Sequence, residues 1–196
     1  MIAEEARASR KRRTRTRIAD AAMRLFREHG FDKVTVAQVA AAADVSEKTV
    51  YNYFPTKAGL FFDEGDDLLA ELLHAIGTRA TGESALTAVR GFVAGMPEWA
   101  ADRRPARPGK LFRDLIADSP ALQAHRRWMF ARYETELAAL LVEQTRSPPG
   151  AVEPFVVAVA LVGVLRAAFE ARGGDADRSL DLLAHGLGDY PSAPSG

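Results

Sequence analysis

Residues 17–57 read RIADAAMRLFREHGFDKVTVAQVAAAADVSEKTVYNYFPTK, and the predicted fold is built around this segment. Its first part carries apolar side chains at three- and four-residue intervals: Ile18, Ala21, Ala22, Leu25 and Phe26. This spacing predicts one amphipathic helix that begins near Thr14. Gly30 suits the left-handed position that follows a helix, so we expect the helix to end there. The spacing places four cations mainly on the side away from the core: Arg15, Arg17, Arg24 and Arg27.

Two short helices with N-terminal capping residues follow. Thr35 is a good N-cap, and Gln38 stands three residues later, as in a capping box. We therefore expect a helix over Val36–Ala43. After a tight turn, Ser46 caps a second helix over Glu47–Tyr53.

The second short helix can bury only Val50 and Phe54 on its inner side. Its remaining side chains are left facing outwards: Lys48, Thr49, Tyr51, Asn52 and Tyr53. Lysine can donate to guanine, asparagine can pair with adenine, and tyrosine and threonine hydroxyls can bond phosphate. Two short helices with such an outer face are typical of a helix-turn-helix, with a polar surface helix as the open alternative.

Lys57 stands in the first turn of the next helix, after the predicted cap residue Thr56. A cation there opposes the helix dipole, so a role in local stability is not its explanation. A phosphate lying across the helix start would account for it, because backbone N–H groups and the ammonium would converge on one anion.

Residues 15–61 resemble the DNA-binding domain of the TetR family of transcriptional regulators. The pieces that carry the resemblance are Ile18–Phe26, Gly30-Phe31, Thr35-Val36, Val39-Ala40, Ala43–Ser46, Thr49–Tyr51, Tyr53-Phe54 and Lys57–Leu60. The resemblance implies operator contacts, mostly at phosphates, for five residues: Thr35, Thr49, Tyr51, Tyr53 and Lys57. It puts Lys48 and Asn52 at variable positions where base choice is made, and Ala37 where some members carry a base-reading arginine. Together these considerations predict that Thr35, Tyr51, Tyr53 and Lys57 hold phosphate, while Lys48, Thr49 and Asn52 read bases.

The charge is divided unevenly along a chain whose formal net charge is zero. Residues 1–57 carry 12 Lys and Arg against 7 Asp and Glu, a net of +5, and the remainder carries 14 against 19, a net of −5. A polyanionic partner is therefore expected for the N-terminal part alone. Residues 1–13 are predicted to form a basic mobile arm, either a solvated tail or a cationic arm on a phosphate backbone or in a minor groove.

The rest of the chain predicts an all-α fold of about nine helices in total. We expect helices over 57–77, 83–101, 110–118, 121–145, 151–172 and 177–187, and a disordered tail over 190–196. The predicted organisation is an arm over 1–13, a helix-turn-helix domain over 14–60 and a larger helical domain over 61–189. The family resemblance implies that this larger domain binds a small-molecule effector and forms the dimer.

The helix over 151–172 is apolar around most of its middle, so it must be buried on most of its faces. We expect it to face a second copy of the chain together with the last helix, with a monomer as the alternative. The predicted interface residues are Phe155, Val159, Val162, Leu165, Phe169, Leu180, Leu183 and Leu187.

Aromatic and methionine side chains of the middle helices are candidates to line the effector cavity, although such residues are more often plain core. They are Phe92, Met96, Trp99, Phe112, Trp128, Met129 and Tyr133.

Several function classes find no support in the residues. The chain has no cysteine, its four histidines are scattered, and no phosphate-binding glycine loop or nucleophile elbow occurs. We therefore expect no metal, no cofactor and no enzymatic activity. The longest apolar run, residues 155–165, is much shorter than the ~20 residues of a membrane span. The resulting prediction is a cytoplasmic, ligand-responsive repressor that binds a palindromic double-stranded DNA operator as a homodimer, with a helical enzyme and a helical adaptor as the competing hypotheses.

Overall fold

A computed structural model describes the backbone of residues 2–103, 109–148, 150–170 and 175–185. Within these ranges it leaves out the side chains of residues 2–5, 8, 97–103, 109, 170, 175–177 and 179. The described residues form ten helices and no strand, which confirms the all-α prediction. The helices are α1 Ile2–His29, α2 Val36–Ala42, α3 Glu47–Tyr53, α4 Lys57–Phe61, α5 Gly65–Gly77, α6 Ala85–Arg103, α7 Gly109–Asp118, α8 Pro120–Thr145, α9 Glu153–Glu170 and α10 Asp175–His185.

Helix α1 begins at Ile2, twelve residues before its predicted start near Thr14. The predicted start near Thr14 is therefore wrong, since residues 2–13 are helical, whereas the mobile arm stays a prediction. The prediction relied on an apolar stripe, which this segment lacks. Its alanines, glutamates, lysine and arginines nevertheless have high intrinsic helix propensity, and no glycine or proline interrupts them.

The helix predicted over 57–77 is two helices, because residues 62–64 interrupt it. Phe62 leaves helical geometry with φ −98° and ψ 39°, and the Gly65 N–H donates to its carbonyl at 2.9 Å. The carbonyl of Asp63, within this break, accepts a hydrogen bond from the Arg15 guanidinium. The break therefore lies at a contact with α1.

The chain divides into two compact units. Unit 1 contains residues 1–66 and 107–127, so it holds the predicted helix-turn-helix domain together with α7 and the first part of α8. Three side chains from these two helices, Leu115, Ile116 and Leu122, join the buried cluster that also contains Phe26 and Phe61. The boundary predicted near residue 60 missed this contribution, since an apolar stripe does not reveal what it packs against.

Unit 2 contains residues 67–106 and 128–196. Within it, α6, α9 and α10 pack against one another. Arg90 of α6 pairs with Asp181 of α10 at 2.7 Å, and Arg166 of α9 pairs with Glu134 of α8 at 3.0 Å. None of the described helices combines the length and the apolar character that a membrane-spanning segment requires.

The predicted interface residues divide into two groups. Val162, Leu165 and Leu180 are completely buried within the chain itself, so they are core residues and the prediction is wrong for them. Phe169 is half-buried, with its ring 6.1 Å from that of Phe130. Leu187 lies outside the described residues. Phe155, Val159 and Leu183 are exposed, because they lie on the side of their helices that this core does not cover.

Candidate nucleic-acid interface

Helix α2 begins with the predicted capping box. The backbone N–H of Gln38 donates to Thr35 Oγ1 at 3.2 Å, and the backbone N–H of Thr35 donates to Gln38 Oε1 at 2.8 Å. The Thr35 hydroxyl also lies 3.2 Å from Gln38 Oε1, to which it donates. The hydroxyl oxygen can keep its bond to the helix while its proton turns towards an external acceptor. Thr35 therefore combines a cap with an exposed donor.

The turn between α2 and α3 is tight and hydrogen-bonded. Asp44 adopts a left-handed conformation, φ 50°, which aspartate tolerates better than most residues. The N–H of Val45 donates to the carbonyl of Ala40 at 3.0 Å, and the N–H of Asp44 donates to that of Ala41 at 3.2 Å. These bonds satisfy the last carbonyls of α2 and set the direction in which α3 leaves.

Helix α3 buries one face and exposes the other, as predicted. Val50 and Phe54 are buried, whereas Lys48 and Asn52 are exposed. Tyr51 is the most conspicuous of the outer side chains, because it keeps 49% of its surface in solvent. An exposed tyrosine on a capped helix offers a hydroxyl donor on a stiff side chain.

Two of the predicted DNA-contact residues, Thr49 and Tyr53, are less available to bind DNA than the others. The Thr49 hydroxyl lies 2.8 Å from the Ser46 hydroxyl, while the Thr49 N–H donates to Ser46 Oγ at 3.1 Å. Tyr53 is half-buried and packs against the core of unit 1. Thr49 is therefore already part of the α3 cap, and Tyr53 can present only part of its side chain.

Lys57 is held in position within unit 1. Its Nζ donates to the carbonyl of Asp32 at 3.3 Å and lies 4.4 Å from the centre of the Phe31 ring. Burial lowers the pKa of Lys57, and the nearby Asp32 carboxylate opposes this effect. An ammonium has three donors, so one bond to Asp32 leaves donors with which Lys57 can bind an anion at the start of α4.

Arg15 joins α1 to the end of α3, a role that sequence reasoning missed by placing it away from the core. Its Nη1 donates to the carbonyl of Tyr53 at 3.1 Å, and its guanidinium lies 4.4 Å from the centre of the Phe54 ring. Its Nη2 donates to the carbonyl of Asp63. The spacing of the sequence could have revealed this role, because Arg15 precedes Ile18 by three residues and so falls on the apolar side of the helix.

Ser119 connects the corner between α7 and α8 to the loop before α2. It is 2% exposed, and its hydroxyl donates to Asp32 Oδ1 at 2.9 Å. The N–H of Leu122 donates to the same hydroxyl oxygen at 3.4 Å. Asp32 thus accepts one hydrogen bond from Lys57 at its backbone carbonyl and another from Ser119 at its carboxylate.

The seven predicted cavity residues are divided between the two units, with Phe112 in unit 1 and the other six in unit 2. Phe112 stacks on Phe61, with ring centres 4.4 Å apart, and belongs to the core of unit 1. The indole of Trp128 is 56% exposed and lies below the Arg132 guanidinium, so it is a surface residue. For both residues a place in the effector cavity stays a prediction.

The other predicted cavity residues belong to unit 2. Met129 and Tyr133 are buried there, and Phe92 and Met96 are half-buried. The Trp99 side chain lies outside the described residues. Among the described residues no group of three histidine, aspartate or glutamate side chains is arranged to hold a metal ion.

Helix α9 presents a contiguous apolar surface. The exposed residues of this surface are Val152, just before α9, and Phe155, Val156, Val157 and Val159 within it. Phe155 and Val159 were predicted from the sequence, and the other three were not. Phe155 and Val156 have more than half of their surface in solvent. A contiguous exposed patch of this kind is typical of an interaction surface, unlike single exposed apolar residues.

Comparisons with known proteins identify the family of the chain. Residues 18–63 match the model of the bacterial regulatory proteins of the tetR family, and residues 81–189, more than half of the chain, match that of the MftR C-terminal domain. A Mycobacterium tuberculosis protein that bears the name mycofactocin biosynthesis transcriptional regulator MftR is 29% identical over 170 residues, which cover 85% of this chain and 83% of that protein.

Solved structures of regulators share the fold. Thermus thermophilus FadR, a TetR-family transcriptional repressor in complex with lauroyl-CoA, is 27% identical with a TM-score of 0.51, over 93% of this chain and 98% of that one. Pseudomonas aeruginosa NalD, the secondary repressor of a multidrug efflux pump, is 21% identical with a TM-score of 0.52, over 89% and 94%. The chain therefore belongs to the TetR family of DNA-binding transcriptional regulators.

Proposed function

We propose that this regulator is a ligand-responsive repressor that binds a palindromic operator as a homodimer. The observation that carries the proposal is the outer face of α3, where Lys48, Tyr51 and Asn52 are exposed on a helix that is capped at one end and held by Arg15 at the other. A preorganised polar helix of this kind can enter a major groove without first paying the cost of ordering.

The proposed contacts fall into two classes. Thr35, Tyr51, Tyr53 and Lys57 bind phosphate, and Lys48, Thr49 and Asn52 read bases. The exposure of Lys48 and Asn52 supports their role as the principal base readers, because the Thr49 hydroxyl is also part of the cap. Phosphate contacts set affinity and position, whereas base contacts set sequence preference.

The proposed dimer forms through the apolar surface of α9 and the neighbouring exposed Leu183 of α10. A two-fold interface would present two α3 helices to half-sites separated by one helical turn or a multiple of it. An effector bound in the C-terminal domain would lower DNA affinity by linkage, if it favours a dimer whose α3 helices do not match the half-sites.

Binding-site selection from random duplex DNA with the purified protein tests the proposal. We expect enrichment of an inverted repeat, and weak binding without enrichment at low salt would overturn the proposal. Lauroyl-CoA, present in the Thermus relative, is a reasonable first probe for effector-induced release of the selected duplex.

Two variants then separate the classes of contact. Lys57→Ala should weaken binding to all sequences and reduce the slope of log K against log salt by about 0.9 per protomer. Lys48→Ala should instead relax base preference at a defined operator position. An unchanged salt slope in Lys57→Ala would remove Lys57 from the interface.

A further inference from the structure

The N-terminal half of α1 carries a dense run of cations. Residues 7–17 include seven of them and no acidic residue: Arg7, Arg10, Lys11, Arg12, Arg13, Arg15 and Arg17. All of them belong to one continuous helix that extends to His29. Arg15 is used within unit 1, but the cations before it lie beyond the apolar stripe that holds α1 in the core, which begins at Ile18. Core packing therefore does not explain them.

The position of these cations relative to α3 follows from Arg15. Because Arg15 donates to the carbonyl of Tyr53, the last residue of α3, this turn of α1 lies at the C-terminal end of α3. Lys11 precedes Arg15 by four residues, so it lies on the same side of α1 one turn further on. Arg7, eight residues before Arg15, lies two turns further on and about 80° around the helix axis. Both are exposed. At 1.5 Å per residue, Arg7 stands about 12 Å beyond Arg15 along the helix axis.

The helical conformation decides which part of DNA this segment can reach. A helix with its side chains is about 10–12 Å across, whereas the minor groove is about 6 Å wide. The segment therefore cannot enter the minor groove as an extended arm would. Arginine and lysine side chains on a rigid helix can instead contact phosphate oxygens along the backbone.

We propose that Arg7 and Lys11 bind the DNA phosphate backbone outside the base pairs that α3 reads, which makes the N-terminal half of α1 a second DNA-binding element. This inference rests on the proposed function, since it needs α3 to be docked on an operator. Residues 2–14 span about 20 Å, which corresponds to about six base pairs of duplex. The added contacts carry no base preference, so they raise affinity without narrowing the operator sequence.

An anionic membrane surface is a weaker partner for the same charges. Helices that lie on membranes need an apolar face that inserts between the lipid headgroups. Between residues 6 and 17 the only apolar side chains are Ala6 and Ala8. The segment therefore has charge for an anionic surface but no apolar anchor.

The experiment compares two double variants on two duplexes. Arg7→Gln with Lys11→Gln tests the proposal. Arg17→Gln with Arg24→Gln is the matched control, because it removes the same charge from exposed positions that lie about 80–140° around the α1 axis from Arg7 and Lys11. One duplex is the operator obtained by selection with about six flanking base pairs on each side, and the other is the same operator without them.

The unmodified dimer should lose affinity when the flanks are removed, by about tenfold or more at low salt. Arg7→Gln with Lys11→Gln should bind the long duplex more weakly, with a salt slope lower by about 3 to 4 for four lost contacts per dimer. It should also respond little to removal of the flanks. The control should behave as the unmodified protein does on both duplexes.

Two results would overturn the inference while leaving the proposed function in place. One is an unmodified protein whose affinity does not depend on the flanks, a measurement that needs no variant. The other is a control variant that loses as much flank-dependent affinity as Arg7→Gln with Lys11→Gln does. Failure of the proposed function is distinct, because no operator would then be enriched. Binding of the unmodified protein, but not of Arg7→Gln with Lys11→Gln, to phosphatidylserine vesicles without any flank dependence would assign the charges to a membrane instead.

Discussion

At the residue scale, Arg15 shows how one side chain can hold a recognition helix. Helix α3 has seven residues and is too short to be stable without tertiary support. Its C-terminal carbonyls carry partial negative charge, which a guanidinium satisfies better than a neutral donor does. Arg15 bonds the carbonyl at the end of α3 and also that of Asp63 in the break before α5. The same cation therefore fixes both elements on α1.

Replacement of Arg15 by Gln should lower the free energy of unfolding by about 2 kcal/mol, because two hydrogen bonds from a charged donor are lost along with the contact to Phe54. Urea denaturation followed by circular dichroism measures this difference. Arg17→Gln, at an exposed position two residues away, should change stability by less than about 0.5 kcal/mol. Equal effects of the two variants would mean that only the helix charge matters.

His125 gives unit 1 a pH-dependent contribution to stability. Its ring stacks on Phe62 at 5.3 Å, and burial lowers its pKa below 6.5, with the Asp66 carboxylate opposing the shift. Between the lowered pKa and 6.5 the unfolded chain binds more protons than the folded one, so stability rises with pH in this window and falls on acidification. His125→Gln should remove this part of the pH dependence. Urea midpoints at several pH values from 7 downwards test this, and an unchanged profile in the variant would contradict it.

At the element scale, unit 1 is built from short helices whose ends are fixed by side chains. Thr35, Ser46 and Thr56 cap α2, α3 and α4 in turn, each accepting from a backbone N–H three residues later. The corner between α7 and α8 adds a further tie, because Ser119 bonds the carboxylate of the same Asp32 whose carbonyl receives Lys57. The loop that carries Asp32 therefore connects the C-terminal elements of unit 1 to the start of α4.

Ser119→Ala should lower the free energy of unfolding of unit 1 by about 1 to 2 kcal/mol, since a buried hydrogen bond and a cap interaction of α8 are both lost. Asp32→Ala should cost a similar amount, and the double variant should cost less than the sum, because both changes break one bond. Asp32→Asn keeps an acceptor oxygen and serves as the control with a smaller loss. Strict additivity in this double-mutant cycle would show that the two side chains do not interact in solution.

At the scale of the whole molecule, α9 carries core residues on one face and exposed apolar residues on another. Val162 and Leu165 are completely buried within the chain, whereas Val156 and Val159 are exposed on the same helix. The proposed dimer depends on the exposed set, and the stability of the folded chain depends on the buried set. Substitutions can therefore address assembly and folding separately.

Val156→Glu combined with Val159→Glu should produce a folded monomer, because two charges would have to be buried without partners in the proposed interface. Sedimentation velocity measures the assembly state, and the melting temperature should lose its dependence on protein concentration. Operator affinity should fall, since one α3 helix binds alone. Leu165→Ala should instead lower the free energy of unfolding by about 2 to 5 kcal/mol. A variant with both glutamates that still sediments as the unmodified protein does would move the interface elsewhere.

Much of unit 1 could be predicted from local sequence patterns. The capping box of Thr35 and Gln38, the caps at Ser46 and Thr56, and the burial of Val50 and Phe54 all depend on residues three or four positions apart. Such contacts are set by helix geometry, so spacing and side-chain chemistry are sufficient to find them. The family resemblance depended on the same local order of residues.

Spacing and side-chain chemistry along the sequence are therefore enough to predict the all-α fold class, the position of the helix-turn-helix and the polar face of α3. Three features are visible only in the tertiary structure: the hydrogen bond from Arg15 of α1 to the break after α4, the hydrogen bond from Ser119 to Asp32, and the partial exposure of α9. The bonds of Arg15 span 38 and 48 residues, and that of Ser119 spans 87. Contacts across such separations depend on how helices pack, and a stripe of apolar residues shows only that a helix has a partner, not which one.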